Sequence, residues 1–242
     1  MTDLRRGQAH VWTLPVSQDD DAGLERLALV LSEPEKARSE RINDAGTRRE
    51  YLAAHILAHH MLAHFSTVAA PDWHFVAGPH GRPEPAPELQ STGLRFNLSH
   101  TSGVVACALT KEDDIGVDVE WFERSNRLDD IARKKFAPVE AAYFADCPEQ
   151  DRQKTFFSFW TLKESYIKAI GRGLVEPLDG FAFELESLGI SFLNGQDDAN
   201  CWRFDLFQPS PSHLTALCLA RNPDTPVEIT RRHLRWDEVV AL

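Results

Sequence analysis

With 242 residues the chain is long enough to bury a sizeable core, as one large domain or two small ones. Its 43% hydrophobic and 26% charged residues fit an ordinary soluble globular protein. A formal net charge of −11 disfavours nucleic acid as a partner, and no apolar run approaches membrane-spanning length.

The N-terminus, M-T-D-L-R-R-G-Q-A-H, lacks the apolar core of a secretory signal. Residues 10–14 read as a short strand ended by Pro15. Ser17 followed by three aspartates is a helix start, with Leu24, Leu27, Ala28 and Leu31 as its apolar stripe. Ser32 and Glu35 form a capping box around Pro34 and open a second short helix. Residues 47–65 give a long helix with Leu52, Ile56, Leu57 and Met61 on its apolar side. The same helix carries His55, His59, His60 and His64. Two pairs are spaced four apart, but there is no H-E-x-x-H and no nearby Cys or acidic ligand in sequence. Solvated or helix-packing histidines are the expectation.

Residues 71–90 are dense in Pro and Gly and should be extended or turning. A hairpin follows: a strand over 94–98, a turn over 99–103, and a buried strand over 104–109. Ser99 and His100 then stand at the hairpin end, exposed for binding. Adjacent residues of an extended segment point apart, so a Ser–His nucleophile pair is a weak reading.

In I-G-V-D-V-E (115–120) the apolar residues alternate with Gly116, Asp118 and Glu120, the pattern of a half-buried strand. Asp118 and Glu120 project from one face. Adjacent carboxylates repel, and a hard divalent cation such as Mg²⁺ relieves that while also holding phosphate oxygens. Residues 122–136 carry five cations (Arg124, Arg127, Arg133, Lys134, Lys135) against three anions on an otherwise acidic chain.

Residues 154–170 form a long helix with Gly171 at its stop. Trp160, Glu164 and Lys168 are four apart and share a face. Facing the acidic strand, Glu164 adds a third oxygen ligand and Lys168 a cation one turn beyond, which is equipment for chemistry on a pyrophosphate. Beyond it, W-R-F-D-L (202–206) resembles L-R-F-N-L (94–98), and L-T-A-L-C-L (214–219) resembles V-V-A-C-A-L (104–109). The helix-to-hairpin order recurs, so two similar α/β halves are expected, with the acidic strand near their junction and a ligand cleft between them. Cys107, Cys147, Cys201 and Cys218 show no C-x-x-C spacing and read as reduced thiols, consistent with the cytoplasm.

Three stretches together resemble the large, two-lobed 4′-phosphopantetheinyl transferases of the Sfp type: F-N-L-S-H (96–100), G-V-D-V-E (116–120) and W-T-L-K-E-S-Y-I-K-A-I-G-R-G-L (160–174). G-R-P (81–83) stands where that family has G-K-P. The resemblance implies an α/β (α+β) fold of two lobes, 1–112 and 113–242, each a small, mainly antiparallel sheet packed with a long helix. It implies transfer of the 4′-phosphopantetheine arm of coenzyme A to a serine of an apo acyl or peptidyl carrier protein, with Mg²⁺, by a cytoplasmic monomer that releases adenosine 3′,5′-bisphosphate. Asp118, Glu120 and Glu164 match the metal ligands, Glu164 also the base, direct or through water, for the carrier serine, and Lys168 the lysine that steadies the pyrophosphate. Ser99 and His100 match phosphate contacts of coenzyme A. Gly81, Arg82 and Pro83 match the loop at its adenine and 3′-phosphate end. Arg124, Arg127, Arg133 and Lys134 fall in the segment near the docked carrier. His59 stands where relatives often have arginine, which leaves Arg48 and Arg49 as candidate cations on that helix. The alternative is a non-catalytic coenzyme A or carrier-binding module of the same fold. A kinase-like phosphotransferase finds no P-loop here.

Overall fold

An uninterrupted apolar run such as V-V-A-C-A-L needs burial on both faces of its strand. The structure, a computed structural model, provides it. It describes residues 4–78, 80–124, 127–173, 176–193, 195, 197–221 and 226–241. Leu174, last in the long helix motif, and Ser125 and Asn126 of the basic segment lie outside the described residues.

The first half runs β1 (Gln8–Pro15), α1 (Asp21–Leu27), α2 (Glu33–Glu40), α3 (Ala45–His64), β2 (Phe75–Ala77), β3 (Pro83–Pro85), β4 (Leu94–Thr101) and β5 (Val104–Lys111). The second runs β6 (Ile115–Trp121), α4 (Leu128–Lys135), α5 (Pro138–Ala145), α6 (Arg152–Ile170), β7 (Phe181–Glu184), β8 (Gly189–Phe192), β9 (Trp202–Ser210) and β10 (His213–Ala220), then β11 (Glu228–His233) and α7 (Trp236–Val240). One sheet has the order β11-β1-β5-β4 and the other β6-β10-β9; β2–β3 and β7–β8 are separate hairpins. The expected repetition is present. β1, α3, β4 and β5 correspond to β6, α6, β9 and β10, and in each unit the last strand is central, antiparallel to both neighbours.

Three cores follow from strand alternation. Val105, Cys107 and Leu109 of β5 meet Ile56, Leu57 and Met61 of α3. The other face of β5 (Val104, Ala106, Ala108) meets Val117 and Val119 of β6 and Leu217 and Leu219 of β10 between the sheets. Ala216 and Cys218 of β10 meet Phe156, Leu162 and Tyr166 of α6. The layers are therefore helix, sheet, sheet, helix. Strand β6 is buried on both faces through Val119, beyond the half-burial its alternation suggests, because α6 covers its second face. Gly116 permits that cover: a Cβ there would collide with the backbone of Ser165 and Ala169.

At the junction the sheets are joined by side chains instead of a backbone ladder. Asn97 Oδ1 accepts the Val117 N–H (2.9 Å), Ser99 Oγ the Val119 N–H (3.2 Å) and Thr101 Oγ1 the Trp121 N–H (3.3 Å). At the other edge Arg231 of β11 grips Asp205 of β9. Sheet membership and chain order part at the C-terminus, where β11 runs parallel to β1 with Gln8 opposite Glu228. Nothing in E-I-T-R-R-H announces a strand, and none of its residues is fully buried.

Two helix starts fall slightly earlier than their periodicity suggests. For α3 the cause is Asp44, whose carboxylate accepts the Thr47 N–H at 2.7 Å. The α6 stop is as expected: Gly171, at φ 67°, donates its N–H to Ile167 O.

Candidate active site

Along α6 from Phe156 to Ala169 every residue is buried except Trp160, Glu164 and Lys168. The face picked out by four-residue spacing is thus the open face of the helix. Trp160 stacks on Phe156 at its far end. Lys168 reaches across to β6, its Nζ donating to Asp118 Oδ1 (2.7 Å) and to Ser99 Oγ (2.9 Å). Ser99 donates its own proton to Asp118 Oδ1 at 3.0 Å. One hydroxyl therefore ties β4, β6 and α6 together.

This corrects the placement of Ser99 on an exposed turn. β4 runs on to Thr101, only Ser102 and Gly103 make the turn, and Ser99 is 6% exposed. His100 does stand on the surface side of the strand, its Nδ1 3.5 Å from Glu50 Oε2 on α3.

The carboxylates crowd one another. Burial, then the charge of Asp118, pushes Glu120 up to about 7, against the pull of Arg124, whose guanidinium lies 2.8 Å away. Burial and Asp118 also raise Glu164. Asp118 Oδ2 is buried and has no hydrogen-bond partner among the described residues. An orphaned anionic oxygen beside two carboxyls that resist ionisation is a donor set suited to a hard dication. Among the described residues no three His, Cys, Asp or Glu side chains stand close enough, as placed, to enclose a metal ion. Asp118 and Glu120 are instead matched to two cations of the chain, Lys168 and Arg124.

Glu164 and Lys168 line a cleft of about 270 Å³ with Gly81, Arg82, Asn97 and Leu98. A neighbouring cleft of about 340 Å³ shares Gly81, Pro83 and Leu98 and adds Tyr51, His55 and His100. Together they run from the carboxylates to α3. A larger hollow, about 860 Å³, opens between α4 and α5 and has no lining residue in common with the carboxylate cluster.

Several expected residues have their polar atoms engaged within the protein. Both terminal nitrogens of Arg82 donate to backbone carbonyls. Arg48 donates to Ile42 O and Arg49 pairs with Asp21, so neither is aimed at the cleft. His59 is fully buried, and with His55 it bonds Glu35 of α2. These are packing histidines; the solvated alternative does not hold for them, and their acidic partner was hidden by its distance in sequence. In the basic segment Arg124 belongs to the carboxylate cluster, Arg133 pairs with Asp130, and Arg127, Lys134 and Lys135 are exposed. Lys163, beside Glu164, points the opposite way and forms a fully buried 2.7 Å pair with Glu140.

A family model described as the 4′-phosphopantetheinyl transferase superfamily matches residues 114–218. The chain is 31% identical to the 4′-phosphopantetheinyl transferase HetI of a Nostoc strain over 173 residues, 72% of this chain and 73% of the relative. It is 26% identical to the 4′-phosphopantetheinyl transferase Sfp of Bacillus subtilis, over 89% of this chain and 92% of the relative. It is 28% identical to the 4′-phosphopantetheinyl transferase AcpT of Escherichia coli O157:H7, over 81% and 86%. Among solved structures, the holo-acyl-carrier-protein synthase of Thermotoga maritima overlaps 45% of this chain and 63% of its own with a TM-score of 0.37 and 20% identity, an overlap too loose to carry an argument.

Proposed function

The chain belongs to the 4′-phosphopantetheinyl transferase superfamily, and from that premise we propose that it moves the phosphopantetheine arm of coenzyme A onto a serine of an apo carrier protein. The observation that carries the reading is the meeting of Asp118, Ser99 and Lys168 beside Glu164 and Glu120 at the inner end of a two-part cleft.

The chemistry divides among these groups. Coenzyme A lies along the cleft, its far end against Gly81 and Pro83 and its phosphates near Ser99 and His100. Glu164, on the open face of α6 beside Lys168, takes the proton of the attacking serine, directly or through water. Lys168 donates to the pyrophosphate oxygens as the phosphorus–oxygen bond to the leaving adenosine 3′,5′-bisphosphate breaks. Phosphoryl transfer asks for positioning and neutralised charge, and a lysine held to 2.7 Å by Asp118 is already positioned. Asp118 Oδ2, Glu120 and Glu164 would hold Mg²⁺, which, when bound, neutralises charge on the pyrophosphate.

The carrier approaches over the exposed cations Arg127, Arg133 and Lys134, with Arg124 nearer the cluster. We take the lobes to divide at 112–113, except that residues 228–240 return to the first lobe, where β11 pairs with β1 and Leu234 and Val239 join its core, and we take the enzyme to act as a cytoplasmic monomer. Among the described residues no helix is long and apolar enough to cross a membrane. A binding module without activity is not favoured, since such a chain has no use for the full set Asp118, Glu120, Glu164 and Lys168. Incubating the protein with coenzyme A, Mg²⁺ and a panel of apo carriers, and weighing the carriers by mass spectrometry, tests the proposal. A phosphopantetheine mass gain is expected on at least one carrier; tight coenzyme A binding without any gain would favour the module.

A further inference from the structure

Arg82 lies in the turn between β2 and β3 with its guanidinium turned towards α6, β4 and β6. Nη1 donates to Lys168 O (2.8 Å) and Ala169 O (3.2 Å), and Nη2 to Phe96 O (3.1 Å) and Ile115 O (3.0 Å). Two of these carbonyls belong to the last turn of α6, where helical carbonyls lack intrahelical partners and the helix end is electronegative. The other two belong to β4 and β6. Their junction has its N–H groups satisfied by Asn97 and Ser99, and Arg82 supplies the donors for carbonyls at its end. All four Nη protons are therefore engaged, and the Nε–H, without a partner among the described residues, is buried, so the fork meets a phosphate only by breaking this contact.

We propose that Arg82 is a positioning residue: it fixes the last turn of α6, and so Lys168, against β4 and β6. This rests on the transferase reading, in which Lys168 acts on the pyrophosphate. The loop that bears Arg82 also walls the cleft through Gly81 and Pro83. The wall that receives coenzyme A and the turn that carries the lysine are thus one hydrogen-bonded unit. A displacement of about 1 Å at a reacting group costs on the order of 10²-fold in rate, so loosening this unit should appear in kcat.

The test uses the full-length protein with Arg82→Met, which removes every donor, and Arg82→Lys, which keeps the charge but not the fork. Three quantities are read: single-turnover transfer at saturating coenzyme A and Mg²⁺, Kd for coenzyme A and for 3′-dephospho-coenzyme A by calorimetry, and amide exchange at Gly171, whose N–H closes the α6 turn. Arg82→Met should lose on the order of 10²-fold in transfer with Kd for both ligands within a few-fold of wild type, and Gly171 should exchange faster. Arg82→Lys should fall between and not restore the rate, because one ammonium cannot span four carbonyls. Transfer at the wild-type rate, with a Kd raised for coenzyme A but not for its 3′-dephospho form, would make Arg82 a phosphate ligand and overturn the proposal. Should Arg82→Met not fold, Arg82→Lys decides on the same readings. A wild-type protein that loads no carrier would sink the transferase reading instead; the clamp would then stand or fall on Gly171 exchange.

Discussion

Lys168 and Glu164 lie one helical turn apart, a spacing that in isolated helices contributes only a few tenths of a kcal/mol as an ion pair. Here Lys168 is held by Asp118 and Ser99, so its replacement should register in rate. Glu164→Ala and Lys168→Ala should each lower single-turnover transfer by about 10²-fold, through the lost base and the lost cation. Because the proposed mechanism has both act on one transition state, the double variant should fall well short of the product of the two losses. Rates within a few-fold of wild type in both single variants would refute the site. Asp118→Ala should abolish measurable transfer with little change in melting temperature. Lys168 is part-exposed and rehydrates, while Glu120 and Glu164 lose a repelling neighbour. At this scale the sequence was legible where spacing alone decides a face, as for Trp160, Glu164 and Lys168. It was silent where the partner is backbone: no pattern in G-R-P says that Arg82 will find carbonyls of three other segments.

Helix α6 lies so close to β6 that Gly116 has no room for a side chain. The obstructing atoms are backbone, so Gly116→Ala should force the helix outward and cost about 3 kcal/mol, measured by urea unfolding. The contact between α2 and α3 is of another kind. Burial alone would push Glu35 up, but hydrogen bonds from His55, His59 and Ser32 together outweigh it and hold its carboxyl far below the usual 4.5. Burial lowers His55 from 6.5 in spite of its bond to Glu35. A neutral folded His55 loses stability to the unfolded chain as pH drops below about 6.5. Glu35, whose contribution is complete above 4.5, adds its own loss below that value. Both groups act in the same direction, so the urea midpoint should decline in acid. Glu35→Ala should remove the lower limb of that decline and cost about 3 kcal/mol at neutral pH, leaving a helix start uncapped and buried imidazoles without their acceptor. Ser32 and Glu35 were readable as a cap because a cap is local. The imidazoles of His55 and His59 come from 20 and 24 residues away, and no local pattern encodes them.

Across the whole molecule, a net charge of −11 coexists with an exposed basic helix end at Arg133, Lys134 and Lys135. Charge reversal at Arg133 and Lys134 should slow association with an acidic carrier and flatten its salt dependence, leaving coenzyme A affinity unchanged. A short acceptor peptide without the acidic surface should be loaded at nearly the wild-type rate; equal losses for peptide and carrier would point to damage in the lobe itself. The repeated order of helix and hairpin was visible because similar strands recur in sequence, and the two sheets bear it out. The strand Glu228–His233 was not, since its outer position asks for no apolar alternation and its register is set by a partner 220 residues away. That pairing bears on how the molecule is made. A chain leaving the ribosome completes β1, α3, β4 and β5 long before residues 228–233 exist. Until they emerge, β1 presents an open edge with unpaired donors and acceptors, a template for wrong partners. Closing so long a loop adds little entropic cost, since each doubling of length costs only about 0.6 kcal/mol. The risk lies in the wait: the first sheet to be synthesised is the last to be finished.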